Sequence, residues 1–151
     1  MVTHFSLRMK HFGRIDVLVY NSGAIWWSSV ENTPMRRFQL MQRVNPEGLY
    51  GTIQATMPVF EKQGWKGRII VVSPPIYSRF FRGKTAYATG KIGMSVLTMG
   101  LAMDYEREGR NDMAITSIWP AAVSIHRSSY YCDLTWIGYR FCSYKESCYK
   151  A

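Results

Sequence analysis

Apolar and polar positions follow two rhythms along the first 120 residues. Short runs rich in β-branched residues, Ile15–Tyr20 (IDVLVY), Gly67–Val72 (GRIIVV) and Met113–Trp119 (MAITSIW), are separated by stretches long enough for several helical turns. Each run ends in turn formers: Asn21-Ser22-Gly23, Ser73-Pro74-Pro75 and Pro120. Runs bounded in this way predict buried strands, and the stretches between predict helices over about 34–63 and from Thr85 to about Glu108. Asn32-Thr33 is the capping candidate of the first helix and Asn45-Pro46 a point of bending; Gly109 stops the second. In that second helix Met94, Leu97, Leu101 and Tyr105 recur at helical spacing and are expected on the sheet, with Arg107 and Glu108 in water.

Strand, helix, strand, helix, strand is the order of a parallel sheet, because parallel neighbours need a crossover that a helix supplies. The expected fold class is α/β, a partial doubly wound (Rossmann-type) parallel sheet with helices. From Ala121 the rhythm stops, and residues 126–151 hold seven aromatics and all three cysteines without a sustained period. Residues 1–122 therefore read as part of one domain, and 123–151 as an unassigned tail expected to pack poorly.

Composition narrows the partners. A chain of 151 residues, 47% apolar and 19% charged, suits one soluble globular domain. No apolar run reaches the roughly 18 residues of a membrane span, and the start MVTHFSLRMKHFG has no secretory h-region. A cytoplasmic protein without membrane association is the default expectation. A net charge of +9 raises the question of nucleic acid, but the basic residues are scattered (Arg36, Arg37, Lys62, Lys66, Arg68, Arg79, Arg82, Lys84) and form no binding motif, so no nucleic-acid partner is expected. Cys132, Cys142 and Cys148 contain no CxxC pair and only His126 lies near them, so no metal site is expected.

The chemistry concentrates on the second helix. Tyr87 and Lys91 stand four apart and share a face, and an ammonium beside a phenol stabilises phenolate, moving a pKa of about 10 toward the neutral range. Asn45 is a poor helix former inside a helical stretch, where its amide either marks a break before Pro46 or holds a water.

Five segments together resemble the short-chain dehydrogenase/reductase family: FGRIDVLVYNSG with its Asn21-Ser22-Gly23 turn, VNPEG around Asn45, GRIIVVSPP, YATGK with Tyr87 and Lys91, and SIWPAA with Pro120. Ser73-Pro74-Pro75 is most similar to the hydroxysteroid-dehydrogenase-like branch. The resemblance implies NAD- or NADP-dependent oxidoreduction of a small-molecule alcohol or carbonyl. It implies Tyr87 as general acid/base, Lys91 as its electrostatic partner and nicotinamide-ribose ligand, and Asn45 as part of a proton relay. Ser73 is implied as the substrate-orienting Ser, although the family's spacing falls on Pro74, and Ser78 is a second candidate. Asn21, Gly23 and Pro120 match positions near the cofactor, with structural support the favoured role of Asn21. Trp26, Trp27, Tyr77, Phe80 and Phe81 are candidates to line an apolar substrate pocket, or equally to serve core or dimer packing.

Two departures qualify these expectations. None of the twelve glycines forms Gly-x-Gly-x-x-Gly, and only fourteen residues precede Ile15, too few for a βαβ unit of about 30. The reading is thus of the carboxyl-terminal part of such a domain, truncated at the amino end, with Val2–Phe12 resembling the end of a preceding helix, β-strand Ile15–Tyr20 left with an open edge, and dinucleotide binding and turnover by the isolated chain expected to be poor. Near the other end Ala121 replaces the usual Gly and Ile125 a usual Thr. The alternatives are a non-catalytic interaction module that forms homo-oligomers through helices 34–63 and 85–108, or a fragment without function of its own.

Overall fold

The computed structural model describes residues 9–74 and 81–120, so the expectations for the tail, for Tyr77, Ser78 and Phe80, and for the cysteines and His126 lie outside the described residues. Three strands, β1 (Val17–Tyr20), β2 (Gly67–Val72) and β3 (Met113–Ile118), form a parallel sheet in the order β1-β2-β3. Val17 stands opposite Arg68 and Gly67 opposite Met113. Helix α1 (Met35–Gln42), a π-turn (Arg43–Glu47) and helix α2 (Gly48–Lys62) connect β1 to β2, and helix α3 (Thr85–Arg107) connects β2 to β3.

β2 and β3 bury alternate residues, as a period of two requires when helices cover one face. Ile69 and Val71 on β2, Met113 and Ile115 on β3, and Tyr20 on β1 meet Leu49, Ile53 and Phe60 of α2 and Met94 and Tyr105 of α3 in a single core. Leu97 and Leu101 pack against that core while Arg107 and Glu108 are exposed, as the helical spacing predicts. Val17 and Val19 on β1 remain 52% and 57% exposed. Among the described residues β1 pairs only with β2, so its outer edge is open.

Three details differ from the sequence reading. β1 begins at Val17 rather than Ile15 because the Gln63 amide engages both backbone groups of Ile15: the Ile15 N–H donates to Oε1 and Nε2 donates to the Ile15 carbonyl, each at 2.8 Å. Neither Asn32 nor Thr33 caps α1, which has Pro34 at its N-cap and no side-chain cap; Asn32 Nδ2 and Thr33 Oγ1 donate back to Ser29. The expected bend at Asn45-Pro46 is a π-turn. Gly109, at φ 66°, sits just past α3 in the left-handed region a glycine reaches without steric cost.

Candidate active site

Residues 21–24, Ser73 and Pro120 each follow the carboxyl end of a strand, and in an open parallel sheet ligands bind outside those ends. Pro46 has no N–H to give to the helix, and the chain accommodates it by widening into the π-turn, a distortion that recurs at functional sites. The Val44 carbonyl there accepts a hydrogen bond from Tyr20 Oη at 2.6 Å. Asn45 is fully buried and clasps one residue: its Oδ1 accepts from the Ala24 N–H at 2.9 Å and its Nδ2 donates to the Ala24 carbonyl at 3.1 Å. One Nδ2 hydrogen and one Oδ1 lone pair of Asn45 then remain for a further partner.

Lys91 is buried on α3, and its Nζ donates to the Val72 carbonyl at 3.0 Å. An ammonium has three hydrogens, so two remain for other acceptors. Gly23 lies directly over it: a Cβ there would stand 3.3 Å from Lys91 Nζ and 3.6 Å from Asn45 Oδ1. Lys91, Asn45 and Gly23 therefore converge on one point. Tyr87 is half-buried one helical turn before Lys91, with the Trp27 ring edge-on at 6.5 Å between centroids. Lys84 Nζ lies 5.1 Å from the other aromatic partner in this contact, the Trp27 ring, and the Arg37 guanidinium lies 4.6 Å from the Trp26 ring.

Electrostatics run opposite to the expectation from the Tyr-Lys spacing. Burial pushes the Tyr87 phenol above its ordinary value and the Lys91 ammonium below its own, so desolvation drives both groups toward their neutral forms. Burial also raises Tyr20, which keeps its hydroxyl protonated and donating.

Ser73 is 2% exposed and turned toward α3, where Ser95 Oγ lies 3.0 Å from its Oγ and 3.1 Å from the Pro74 carbonyl. Asn21 and Pro120 are exposed at the same end of the sheet. Ile25, Trp26 and Trp27 line an open apolar groove, and Phe81 is partly buried. Tyr20, Ala24 and Ser95 had no signal in the spacing, since a terminal strand residue, a small loop residue and a helical Ser carry no motif; the three-dimensional contacts alone reveal them. Among the described residues no group of three or more His, Cys, Asp or Glu is placed to hold a metal, and no helix is long and apolar enough to cross a membrane.

Residues 2–129 match the sequence model for short chain dehydrogenases. Hydroxysteroid dehydrogenase-like protein 2 of Mus musculus is 35% identical over 123 residues, which cover 80% of this chain and 24% of that protein. The Homo sapiens protein of the same name is 33% identical over 123 residues, with 80% and 28% covered. A candidate dehydrogenase from Xanthomonas campestris superposes with a TM-score of 0.68 at 37% identity, covering 78% of this chain and 43% of that one. A short chain dehydrogenase from Mycobacterium thermoresistibile does so with a TM-score of 0.66 at 29% identity, covering 78% and 41%. The chain thus spans about a quarter of the length of these curated relatives and less than half of these solved structures. With most of its length matched by one family model and its sheet and helices superposing on solved members, this chain belongs to the short-chain dehydrogenase family.

Proposed function

We propose that these residues form the alcohol/carbonyl end of an NAD- or NADP-dependent oxidoreductase site. The observation that carries the reading is the convergence of Lys91 Nζ and Asn45 Oδ1 on Gly23, one turn from Tyr87 on α3. Lys91 supplies two ammonium hydrogens suited to the vicinal hydroxyls of a nicotinamide ribose, and the missing side chain of Gly23 leaves that approach open. Asn21 supports the turn, and Pro120 flanks the same end of the sheet. The pyrophosphate of a dinucleotide has no Gly-rich cradle in these 151 residues, so the donors present fit the nicotinamide-ribose half.

When bound, a reduced nicotinamide would supply the hydride for a carbonyl carbon. Tyr87 gives its hydroxyl proton to the carbonyl oxygen as that oxygen gains charge; in alcohol oxidation the phenolate takes the proton back. Because burial raises the Tyr87 pKa, the phenol carries its proton across the neutral range and is set to donate. Asn45 holds Ala24, and through it the loop over Lys91, and its remaining Nδ2 hydrogen is available to a proton relay. Ser73, bonded with Ser95, acts by fixing the end of β2 rather than by reaching substrate oxygen; Ser78 is the other candidate for that contact. Trp27, beside the Tyr87 ring, offers an aromatic wall for an apolar substrate.

The test uses reduced nicotinamide mononucleotide followed by amide NMR. Shifts at Gly23, Ala24, Tyr87 and Lys91 that disappear in Lys91→Met, with adenosine monophosphate producing none of them, are the expected result. A nicotinamide probe that leaves these four amides unmoved removes the reading.

A homo-oligomer accompanies this proposal. Val96, Met99 and Met103 on α3 and Tyr50 on α2 are exposed apolar residues, the kind of surface that a second copy covers. Sedimentation of Met99→Glu should show a smaller species than the unaltered chain; an unchanged mass removes this face from the interface.

A further inference from the structure

We infer that Tyr20 is a positioning residue for the site: its hydroxyl locks the π-turn so that Asn45 and the Gly23-Ala24 loop are held over Lys91. The inference rests on the oxidoreductase reading only for what the lock serves; the lock itself is geometric.

Two ties join the same pair of segments. At one end of the loop Tyr20 Oη donates to the Val44 carbonyl at 2.6 Å, and at the other the Asn45 amide closes a two-bond ring on Ala24. Val44 and Asn45 are consecutive, as are the residues from Tyr20 to Ala24, so the two ties fix the loop to the π-turn at both of its ends. Tyr20 is the last, inward-facing residue of β1 and is 6% exposed, which lets the sheet itself set the position of the hydroxyl. Where a π-turn widens a helix the regular pairing of carbonyls is disturbed, and the part-buried Val44 carbonyl has the Tyr20 hydroxyl as a partner. Gly48 completes the fit: any Cβ at that position would overlap the Tyr20 hydroxyl, so the phenol approaches the helix only because residue 48 has no side chain.

Gly48 also offers a way to pair the Val44 carbonyl while leaving the loop unattached, which separates the two effects of the Tyr20 hydroxyl. A helical Ser bonds back to the carbonyl four residues earlier, which from position 48 is Val44. Once the Tyr20 hydroxyl is removed, the nearest remaining ring atom, Cζ, would lie 3.6 Å from the new Cβ, an ordinary contact, with the Arg43 carbonyl at 3.2 Å as the tighter neighbour.

The experiment compares the full chain with Tyr20→Phe, Gly48→Ser and the double variant by amide exchange and by Lys91 titration in NMR. Tyr20→Phe keeps the ring in the core and should raise exchange at the Ala24 amide roughly tenfold, the loss of one net hydrogen bond, with Ile115 in the sheet core unchanged. The Lys91 ammonium should titrate closer to its ordinary value as water enters. Gly48→Ser alone should destabilise the fold through the clash. The double variant, whose new hydroxyl bonds within the helix and not to the loop, should relieve the clash yet keep the fast Ala24 exchange of Tyr20→Phe. Full recovery of Ala24 protection in the double variant would mean that pairing the Val44 carbonyl, and not the tie from Tyr20, holds the loop, and would overturn the inference. Equal exchange at Ala24 in Tyr20→Phe and the unaltered chain overturns the inference. So does a rise shared equally by Ile115, which would mean global loosening. If reduced nicotinamide mononucleotide fails to shift the unaltered chain, the oxidoreductase reading fails, while the exchange data still decide whether Tyr20 holds the turn.

Discussion

Lys91 Nζ donates to the Val72 carbonyl at 3.0 Å, tying the middle of α3 to the carboxyl end of β2. The tie places a cation in a buried setting, and burial holds its folded pKa below the unfolded value of 10.5. In the interval just below 10.5 the unfolded chain then binds more protons than the folded one, so this group makes stability rise as pH climbs through it. Urea unfolding of the unaltered chain and Lys91→Met at several values from neutral to about pH 10 should show the difference between them growing in favour of the unaltered chain. A pH-independent difference would mean that Lys91 titrates alike in both states.

Tyr105 has the opposite dependence. Burial pushes its phenol up to about 12, against a smaller lowering by Arg110, while its hydroxyl contacts the Met57 sulfur at 3.7 Å. The folded chain holds this proton longer, so the contribution is complete below about pH 10 and is lost between there and about pH 12. The expected loss is about 3 kcal/mol, and Tyr105→Phe should lose correspondingly less over the same interval because its ring has no proton to release. Matching pH profiles for the two proteins would show that Tyr105 ionises as easily folded as unfolded.

Gly67 opens β2 directly against the Phe60 ring, and a Cβ there would overlap ring carbons. Gly67→Ala should cost about 1–3 kcal/mol as overpacking of a filled core. Combining it with Phe60→Leu should cost less than the sum of the two single changes, because the smaller side chain gives the new methyl room. Strict additivity in thermal or urea unfolding would show that the backbone moves instead of the ring.

The parts of this fold set by local chemistry were readable from residue order. Gly67–Val72 and the helix from Thr85 agree with the structure because their boundaries are marked by Gly, Pro and Thr. The sheet-facing row Met94, Leu97, Leu101 and Tyr105 agrees because helical periodicity encodes it. The start of β1 was not readable, since a side chain 48 residues away takes up the Ile15 backbone. The signs of the Tyr87 and Lys91 pKa shifts were not readable either: spacing places two groups on one face, but only the packed structure shows how much water each has lost. Asn45 was visible as an oddity in a helix, and its partner Ala24 was not, because nothing in the sequence pairs residue 45 with an alanine backbone.

A polypeptide of these 151 residues should bind NADH or NADPH no more tightly than it binds reduced nicotinamide mononucleotide. The donors converging near Gly23 suit the nicotinamide ribose, while none of the twelve glycines forms the Gly-x-Gly-x-x-Gly turn whose amides and following helix terminus cradle a pyrophosphate. A ligand held at one end by a lysine and a few amides belongs in the millimolar range, about −4 kcal/mol, far from the roughly −8 kcal/mol of micromolar binding. Turnover should be correspondingly slow, because fixing two reactants near attack geometry is worth roughly 7–11 kcal/mol in favourable cases and a loosely held nicotinamide forfeits most of it. Calorimetric titration with the mononucleotide and both dinucleotides checks this directly, and the expected ratio of their affinities is close to one. A dinucleotide that binds tenfold or more tightly than the mononucleotide would show that these residues grip the adenosine half by some route other than a Gly-rich turn. If that tighter binding came with carbonyl reduction lost in Tyr87→Phe, the roles proposed for Tyr87 and Lys91 would stand and the need for the Gly-rich turn would fall.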